Sequence, residues 1–351
     1  MKKWPQKKKA NFRRCLKLQS SATVFLALLL YSALSSYLFS PRVVTISNTT
    51  LQCIDTGQDI STRNSLTSAI ANARESITLI HYSLTDKHII RALQDAANNG
   101  VKVNLIYDPT ATPEPDFFLG PAIKKHARKE RGLMHHKLLA IDHAHVWLGS
   151  TNLTAPSLLS HGNLTLGFNS PELANEIEEL AKVLKNKQSF HATPLEMQHN
   201  GQRISFFVHP FHGKASLNAL LERIKNAQQR IFVAMYTFTH QKIAEALCEA
   251  HERGVDVRVI FDKDSKKETS KHVYVRCKRN GIRTGHRTKP GLLHYKTALI
   301  DNSLVTGSCN WTKAGFQAND DSILIIDTLT PDQQLWFENW WQSVEDNATY
   351  S

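Results

Sequence analysis

The feature that most constrains the fold of this chain is an internal duplication. Residues Glu75–Asp108 (ESITLIHYSLTDKHIIRALQDAANNGVKVNLIYD) align without a gap with Gln229–Asp262 (QRIFVAMYTFTHQKIAEALCEAHERGVDVRVIFD). Each segment predicts an apolar strand, a helix with apolar residues at helical spacing, a glycine at the helix end (Gly100 or Gly254) and a second strand. Strand–helix–strand with a glycine turn is a βαβ unit. The chain therefore predicts two similar α/β halves, with mixed sheets flanked by helices, packed about a pseudo-twofold axis.

A second repeated segment follows each βαβ unit. GLMHHKLLAIDHAHVWLGSTNLT (Gly132–Thr154) and GLLHYKTALIDNSLVTGSCNWT (Gly291–Thr312) share the pattern G-L-(L/M)-H-x-K, then an aspartate, then G-S-x-N-x-T. Burying an unpaired charge is costly, so a histidine and a lysine repeated in two apolar strands need a shared reason. Residues two apart on a strand share a face, which places each histidine beside its lysine. The candidate site residues are His135, Lys137 and Asn152 in the first copy and His294, Lys296 and Asn310 in the second.

The remaining motif residues predict supporting roles. Asp142 and Asp301 lie an odd number of residues from their lysines and should face elsewhere, so we assign them to holding the following turn. Ser150 and Ser308, each after a glycine, permit a tight turn that can bring the asparagines back beside the lysines.

The chemistry of the paired motifs suits a phosphodiester. Ammonium groups only donate hydrogen bonds and amides can turn their NH₂ ends to a ligand, which fits phosphate oxygens. Two imidazoles suit a nucleophile and a general acid. The sequence has no carboxylate cluster typical of Mg²⁺ or Ca²⁺ and no Cys/His spacing typical of Zn²⁺. The prediction is metal-free phosphodiester cleavage without a cofactor, in a monomer that carries both motifs in one site.

These motifs resemble the phospholipase D superfamily, whose signature is H-x-K-x4-D followed by G-S-x-N. The resemblance covers about residues 60–345. It implies a two-step reaction, in which one histidine attacks phosphorus to form a phosphohistidine. The other histidine protonates the leaving alcohol and then activates water, while the lysines and asparagines hold the phosphoryl oxygens.

The family also has an acidic residue after each G-S-x-N, which orients the histidine of the opposite half. We align the two halves on the next asparagine after each motif. The second half then supplies the acidic residue, because "NDD" gives Asn319 and then Asp321. The first half departs from the pattern, because "NLT" gives Asn163 and then Thr165.

This departure suggests how the two histidines divide the work. By the family's cross-pairing, Asp321 would orient His135 and stabilise its positive charge. We therefore predict His135 as the nucleophile and His294 as the general acid. His136, between the first motif's histidine and lysine, is predicted to be a packing or surface residue.

Three functional classes remain open from the sequence. The first is a phospholipase D that releases a headgroup and leaves phosphatidic acid, or a related transphosphatidylase of the cardiolipin synthase type. The second is an endonuclease on DNA or RNA, which uses the same chemistry. The third is a membrane-tethered binding protein with a degenerate site. The connections before the two motifs are basic and could attract an anionic headgroup or backbone; they include Lys124, Lys125, Arg128, Lys129, Arg131, Lys266, Lys267, Lys271, Arg276, Lys278, Arg279, Arg283 and Arg287.

The N-terminal segment predicts membrane targeting. The net charge is +12, and residues 1–19 carry eight lysines and arginines and no acid. The uncharged run that follows predicts an uncleaved signal-anchor, or a cleaved signal peptide, with the catalytic body outside the cytoplasm. The predicted divisions are a basic tail at 1–19, the apolar segment at 20–40, a stalk with an entry strand at 41–60, the first half at 61–187, a bridge at 188–203 and the second half at 204–351.

Overall fold

The computed structural model of the protein describes residues 51–56, 61–130 and 132–350, which all fall in one compact unit. The predicted tail and apolar segment at 20–40 lie outside these residues. Within the described ranges, no helix is both long and apolar enough to cross a membrane.

The first half is a mixed sheet of seven strands flanked by helices. Its elements are β1 (Gln52–Asp55), α1 (Ser61–Ala71), β2 (Ser76–His81), α2 (Lys87–Asn98), β3 (Lys102–Tyr107), α3 (Pro115–Leu119), β4 (Lys124–Ala127), β5 (Lys137–Ile141), β6 (His145–Gly149), α4 (Ala155–Leu159), β7 (Leu164–Asn169) and α5 (Pro171–Asn186). The strand order is β1-β7-β6-β5-β2-β3-β4. β2 and β3 are parallel and joined by α2, which confirms the predicted βαβ unit.

The second half repeats this plan in a nine-stranded sheet. Its elements are β8 (Leu195–His199), β9 (Gln202–Val208), α6 (Gly213–Asn226), β10 (Arg230–Met235), α7 (Gln241–Glu252), β11 (Asp256–Phe261), α8 (Lys263–Lys267), α9 (Lys271–Arg279), β12 (Arg283–Arg287), β13 (Lys296–Ile300), β14 (Ser303–Gly307), α10 (Lys313–Gln317), β15 (Ser322–Ile326), α11 (Pro331–Asp346) and β16 (Ala348–Tyr350). The order is β16-β12-β11-β10-β13-β14-β15-β9-β8. β10 and β11 are the parallel pair joined by α7.

Two segments outside the predicted halves contribute strands to the sheets, one being the predicted stalk with its entry strand and the other the predicted bridge. β1 lies in the predicted stalk at 41–60 and pairs antiparallel with β7, as β9 pairs with β15 in the other half. β8 lies in the predicted bridge at 188–203 and pairs with β9. Such short edge strands carry little periodic signal of their own, because their place depends on the neighbouring strand they complete.

The core is divided between the space enclosed by the two sheets and the outer face of each. The central cluster contains residues of both sheets together with the apolar sides of α5 and α11. The aromatic stripe of α11 lies here, with Phe337, Trp340 and Trp341 buried and Trp341 stacked on Phe232. One outer cluster packs beneath α1 and α2, and the other beneath α6 and α7. The two halves therefore share a continuous apolar interior.

Asp142 and Asp301 fix the start of a neighbouring strand and not the turn that follows them. The Asp142 carboxylate accepts hydrogen bonds from the backbone amides of Arg74, Glu75 and Ser76, where the chain enters β2. Asp301 does the same at the entry to β10. Both aspartates have positive φ, 50° and 46°, which turns each carboxylate toward those amides.

Asp142→Asn is expected to lower the free energy of unfolding by about 1–3 kcal/mol, since hydrogen bonds to a charged acceptor are lost. Burial alone would raise the pKa of Asp142, but the amides of Glu75, Ser76 and Arg74 lower it below its ordinary value. The carboxylate therefore stabilises the fold above the ordinary aspartate pKa, and this contribution disappears as pH falls through the folded-state pKa. Urea unfolding at neutral and acid pH measures both effects.

The matched control is Asp116→Asn, because the Asp116 side chain is 86% exposed and makes a surface ion pair with Lys125. Equal destabilisation by both substitutions would contradict the assignment of Asp142.

Candidate active site

The two motif segments meet through backbone pairing between the halves. Met134 and Leu293 form isolated bridges with Asp320 and Gly162, respectively. The next residue in each case is the motif histidine, whose backbone N–H donates to that same partner, His135 to Asp320 and His294 to Gly162, each at 2.8 Å. Each histidine is thus positioned by the opposite half, and the two motifs are brought to one place.

His135 is paired with a carboxylate of the second half. Its Nδ1 lies 2.8 Å from Asp321 Oδ1, which also accepts from the Ser308 hydroxyl at 2.7 Å. Burial opposes ionisation of Asp321, but the His135 ring, Lys137 and the Ser308 hydroxyl hold its pKa below the ordinary range. Asp321 is therefore ionised, so His135 carries its proton on Nδ1 and presents Nε2 to the site.

His294 is paired with an amide of the first half. Its Nδ1 lies 2.8 Å from Asn163 Oδ1. The Asn163 Nδ2 atom donates to the Ser157 carbonyl at 3.0 Å, and a carbonyl can only accept, so the amide oxygen must face the histidine. Ser150 donates to the same oxygen at 3.1 Å, as Ser308 does to Asp321. His294 therefore also presents Nε2, but no negative charge stands behind it.

The structural counterpart of Asp321 is Asn163, so the sequence alignment that put Thr165 there was wrong. Each residue lies the same number of positions after its motif serine, and each binds that serine's hydroxyl. Thr165 instead forms a buried hydrogen bond with Thr151, 2.6 Å between hydroxyl oxygens. The alignment on "NLT" and "NDD" followed the asparagines, whereas counting from the Gly-Ser pair would have found Asn163.

The two motif lysines are buried and have no carboxylate partner at hydrogen-bond distance among the described residues. Lys137 and Lys296 are 3% and 2% exposed, and each donates to the backbone carbonyl of its own motif histidine, at 2.8 and 2.9 Å. Burial lowers the pKa of Lys137 to about 7. Burial and the neighbouring charge of Lys137 lower the pKa of Lys296 well below its usual value. An anion between them would relieve both effects.

The motif asparagines follow the Gly-Ser turns into the same region. Leu153 pairs with Leu84, and Trp311 pairs with Phe238, just beyond the tyrosines that follow the first strand of each βαβ unit. In the described part of the chain, the side-chain oxygens of Asn152 and Asn310 are buried without a hydrogen-bond partner.

Four residues that the motif does not contain also shape the site. Tyr82 and Tyr236 lie against His135 and His294, with ring centroids 4.9 Å apart in both pairs, and each lysine lies over the tyrosine of its half. Asp108 and Asp262 each accept a hydrogen bond from the backbone amide of the residue directly before the motif histidine, Met134 at 3.2 Å and Leu293 at 3.0 Å. All four could have been found from the sequence, because the tyrosine and the aspartate recur at the same positions, near the strand ends, in both aligned βαβ units.

His136 belongs to the packing and not to the cleft. It is fully buried, and neither ring nitrogen has a hydrogen-bond partner among the described residues. Burial lowers its pKa to about 3, so the ring is neutral. Across residues 51–56, 61–130 and 132–350, no group of three or more His, Cys, Asp or Glu side chains is arranged to hold a metal ion.

Comparison with known proteins identifies the family. The family described as "Cardiolipin synthase, PLD-like domain" matches residues 66–184 and 220–341, more than half of the chain, with one motif in each segment. The chain belongs to the phospholipase D-like family. Membership makes it an enzyme of the phosphodiesterase class.

Individual relatives match parts of the chain. A "Mitochondrial cardiolipin hydrolase" of Xenopus laevis is 34% identical over 143 residues, covering 40% of this chain and 67% of that protein. A "Phospholipase D" of Rickettsia typhi is 28% identical over 135 residues, covering 37% of this chain and 64% of that protein. The structure of phosphatidylserine synthase from Haemophilus influenzae has a TM-score of 0.64 over 86% of this chain and 87% of its own, at 12% identity, which shows the fold alone.

Proposed function

We propose that this enzyme is a metal-independent phospholipase D, which hydrolyses a phospholipid to phosphatidic acid and a headgroup alcohol. The observation that carries the proposal is the crosswise pair of histidines, each with Nε2 facing the site, beside two buried ammonium groups. The lysines supply positive charge where the phosphoryl oxygens gain negative charge in the transition state.

In the first step, His135 Nε2 attacks phosphorus and forms the phosphorus–nitrogen bond. The bond between phosphorus and the headgroup oxygen breaks as protonated His294 gives its Nε2 proton to that oxygen. The phosphorylated ring of His135 is positively charged, and Asp321 stabilises it through Nδ1–H. This is the physical reason for assigning His135, and not His294, as the nucleophile.

In the second step, a water molecule attacks the phosphohistidine. The now neutral His294 takes a proton from the water through Nε2, the phosphorus–nitrogen bond breaks, and His135 leaves as neutral imidazole. A lipid alcohol in place of water would give transphosphatidylation by the same atoms, so both outcomes share one intermediate.

The lipid substrate is supported by the relatives' names, which specify cardiolipin hydrolase and phospholipase D. We also propose that the uncharged segment at residues 20–40 anchors the enzyme and keeps its catalytic body beside the membrane outside the cytoplasm. Anchoring raises the effective concentration of a lipid substrate. Both motifs lie in one chain, so a monomer contains the complete site.

The test uses the full chain in detergent micelles containing phosphatidylglycerol, with EDTA present, beside a labelled oligonucleotide. Release of glycerol and phosphatidic acid, with the oligonucleotide intact, supports the proposal. Formation of a new phosphatidyl ester when a lipid alcohol is added would identify a transferase. Cleavage of the oligonucleotide with intact lipid would overturn the substrate class.

Asn163→Asp is expected to move the alkaline limb of the pH–rate profile upward by about one to two units. Burial, Lys296, Lys137 and His135 lower the pKa of His294, so the protonated acid is lost as pH rises. A carboxylate beside Nδ1 would stabilise the imidazolium and raise that pKa. The measurement is kcat/KM against pH for the parent and the variant.

The control for this shift is Thr165→Val, which removes the hydroxyl that bonds Thr151 and leaves the Asn163–His294 hydrogen bond in place. Its profile should match the parent. A shift in the Thr165 variant, or none in the Asn163 variant, would contradict the assignment.

A further inference from the structure

The two halves differ at a pair of arginines beside the motif histidines. Arg128 follows β4 and Arg287 ends β12, and they hold equivalent places, since β4 pairs with β3 as β12 pairs with β11. Asp320 and Gly162 are likewise equivalent, because each bridges to the residue before a motif histidine. The pair Arg128 and Asp320 is therefore equivalent in position to the pair Arg287 and Gly162.

Only the first of these arginines is neutralised. Arg128 Nε donates to Asp320 Oδ2 at 3.0 Å. Arg287 lies next to Gly162, where a Cβ atom would be only 3.0 Å from Arg287 Nη1 and 2.6 Å from the Tyr295 ring. The glycine leaves room for the guanidinium but provides no carboxylate.

Arg287 is buried, with 7% of its surface exposed, and makes no ion pair within the described residues. One of its terminal nitrogens donates to the Ser160 carbonyl at 3.3 Å, and Nε is buried without a partner. The carboxylates of its surroundings are engaged elsewhere. Asp55 accepts from the Tyr295 hydroxyl, and Asp262 accepts from the backbone amides of Asp264, Ser265 and Leu293. A buried charge of this kind calls for an anionic ligand.

The guanidinium lies beside the reaction centre. Ser160 and Gly162 flank His161, whose ring centroid is 6.3 Å from that of His294. Arg287 also acts on His161 electrostatically and, after burial, contributes most to lowering its pKa. The segment 160–162 therefore contacts both Arg287 and His294, the histidine assigned to the leaving group.

We propose that Arg287, with His161, forms a second anion subsite that binds a phosphate carried by the leaving alcohol. The proposal rests on the phospholipase D function and specifies its substrate class, namely phosphodiesters whose headgroup itself bears a phosphate. Cardiolipin fits this description, because a glycerol bridge joins its two phosphates. A guanidinium binds phosphate through directed, charge-assisted hydrogen bonds, which favours such a substrate over one with an uncharged headgroup.

The experiment compares cardiolipin with phosphatidylglycerol, an anionic lipid that has a single phosphate. The full-length enzyme and its Arg287→Gln and Arg287→Lys variants are assayed in micelles of equal surface charge. Arg91→Gln is the control, since Arg91 is 75% exposed and forms a surface ion pair with Asp95. Thermal melts establish that each variant is folded.

We expect Arg287→Gln to lower kcat/KM for cardiolipin by about 10- to 100-fold, mainly through KM, with phosphatidylglycerol changed less than about twofold. Arg287→Lys should keep part of the preference, because the charge remains without the guanidinium geometry. Equal loss on both lipids, or an unchanged preference, would overturn the subsite.

A binding measurement keeps the subsite testable if neither lipid is cleaved. Calorimetry with glycerol 1,3-bisphosphate and glycerol 3-phosphate should show about tenfold tighter binding of the bisphosphate, and Arg287→Gln should remove the difference. If neither lipid is cleaved, this result would support the anion subsite even though the proposed lipid hydrolase function is wrong. Equal binding of the two compounds would reject the subsite itself.

Discussion

His135→Ala should lower kcat by at least about 10⁴-fold on any phosphodiester that the enzyme cleaves, because it removes the proposed nucleophile that forms the covalent intermediate. The loss should appear in kcat and not only in KM, since the lysines and asparagines that bind phosphate remain. Steady-state kinetics with phosphatidylglycerol, together with acid quenching to trap a phosphorylated enzyme, measures both the rate and the intermediate.

His294→Ala separates the two histidine roles. With a p-nitrophenyl ester of phosphatidic acid, whose leaving group needs no proton, this variant should still form the phosphoenzyme, whereas the His135 variant should not. His143→Ala is the control, because His143 is 58% exposed and bonds Glu178 away from the site. Trapped phosphate in the His135 variant, and none in the His294 variant, would reverse the assignment.

Asp321→Asn is expected to lower kcat by about 10²- to 10⁴-fold, since an amide can neither stabilise the charge on His135 nor specify its tautomer as strongly as a carboxylate. The substitution also removes the negative charge that opposes the lowering of the Lys137 pKa. The Lys137 pKa should therefore fall further, and the rate should decline at a lower pH in the variant than in the parent. A pH–rate profile measures this shift.

Asp327→Asn is the matched control for Asp321. Asp327 is half-buried and ion-paired with Arg223 at 2.6 Å, so its loss should reduce stability and leave kcat unchanged. An Asp321 variant that keeps kcat within about threefold of the parent would remove the carboxylate from the mechanism.

The parts of this protein that the sequence predicted are local or repeated. Apolar spacing and a glycine with positive φ at position 100 or 254 specified each βαβ unit, because helix, turn and strand preferences act over a few residues. The doubled His-x-Lys pattern indicated a phosphate site, because the energetic cost of burying those groups is a property of the side chains themselves.

Tertiary structure decided which distant residues meet. Spacing from the Gly-Ser pair could have pointed to Asn163, but only the structure shows that Asn163, and not Thr165, accepts a hydrogen bond from His294. No sequence pattern indicated that Asp142 binds the backbone amides at the entry to β2. The sequence indicated that the basic connections before the motifs could attract an anionic group, but not that Asp320 neutralises Arg128 whereas Arg287 lies beside Gly162. The duplication gives the two halves the same order of elements. A hydrogen bond, however, requires two atoms to lie within about 3 Å of each other, and the order of elements does not specify such a distance. Only packing of the two sheets sets distances that fine between residues far apart in the chain.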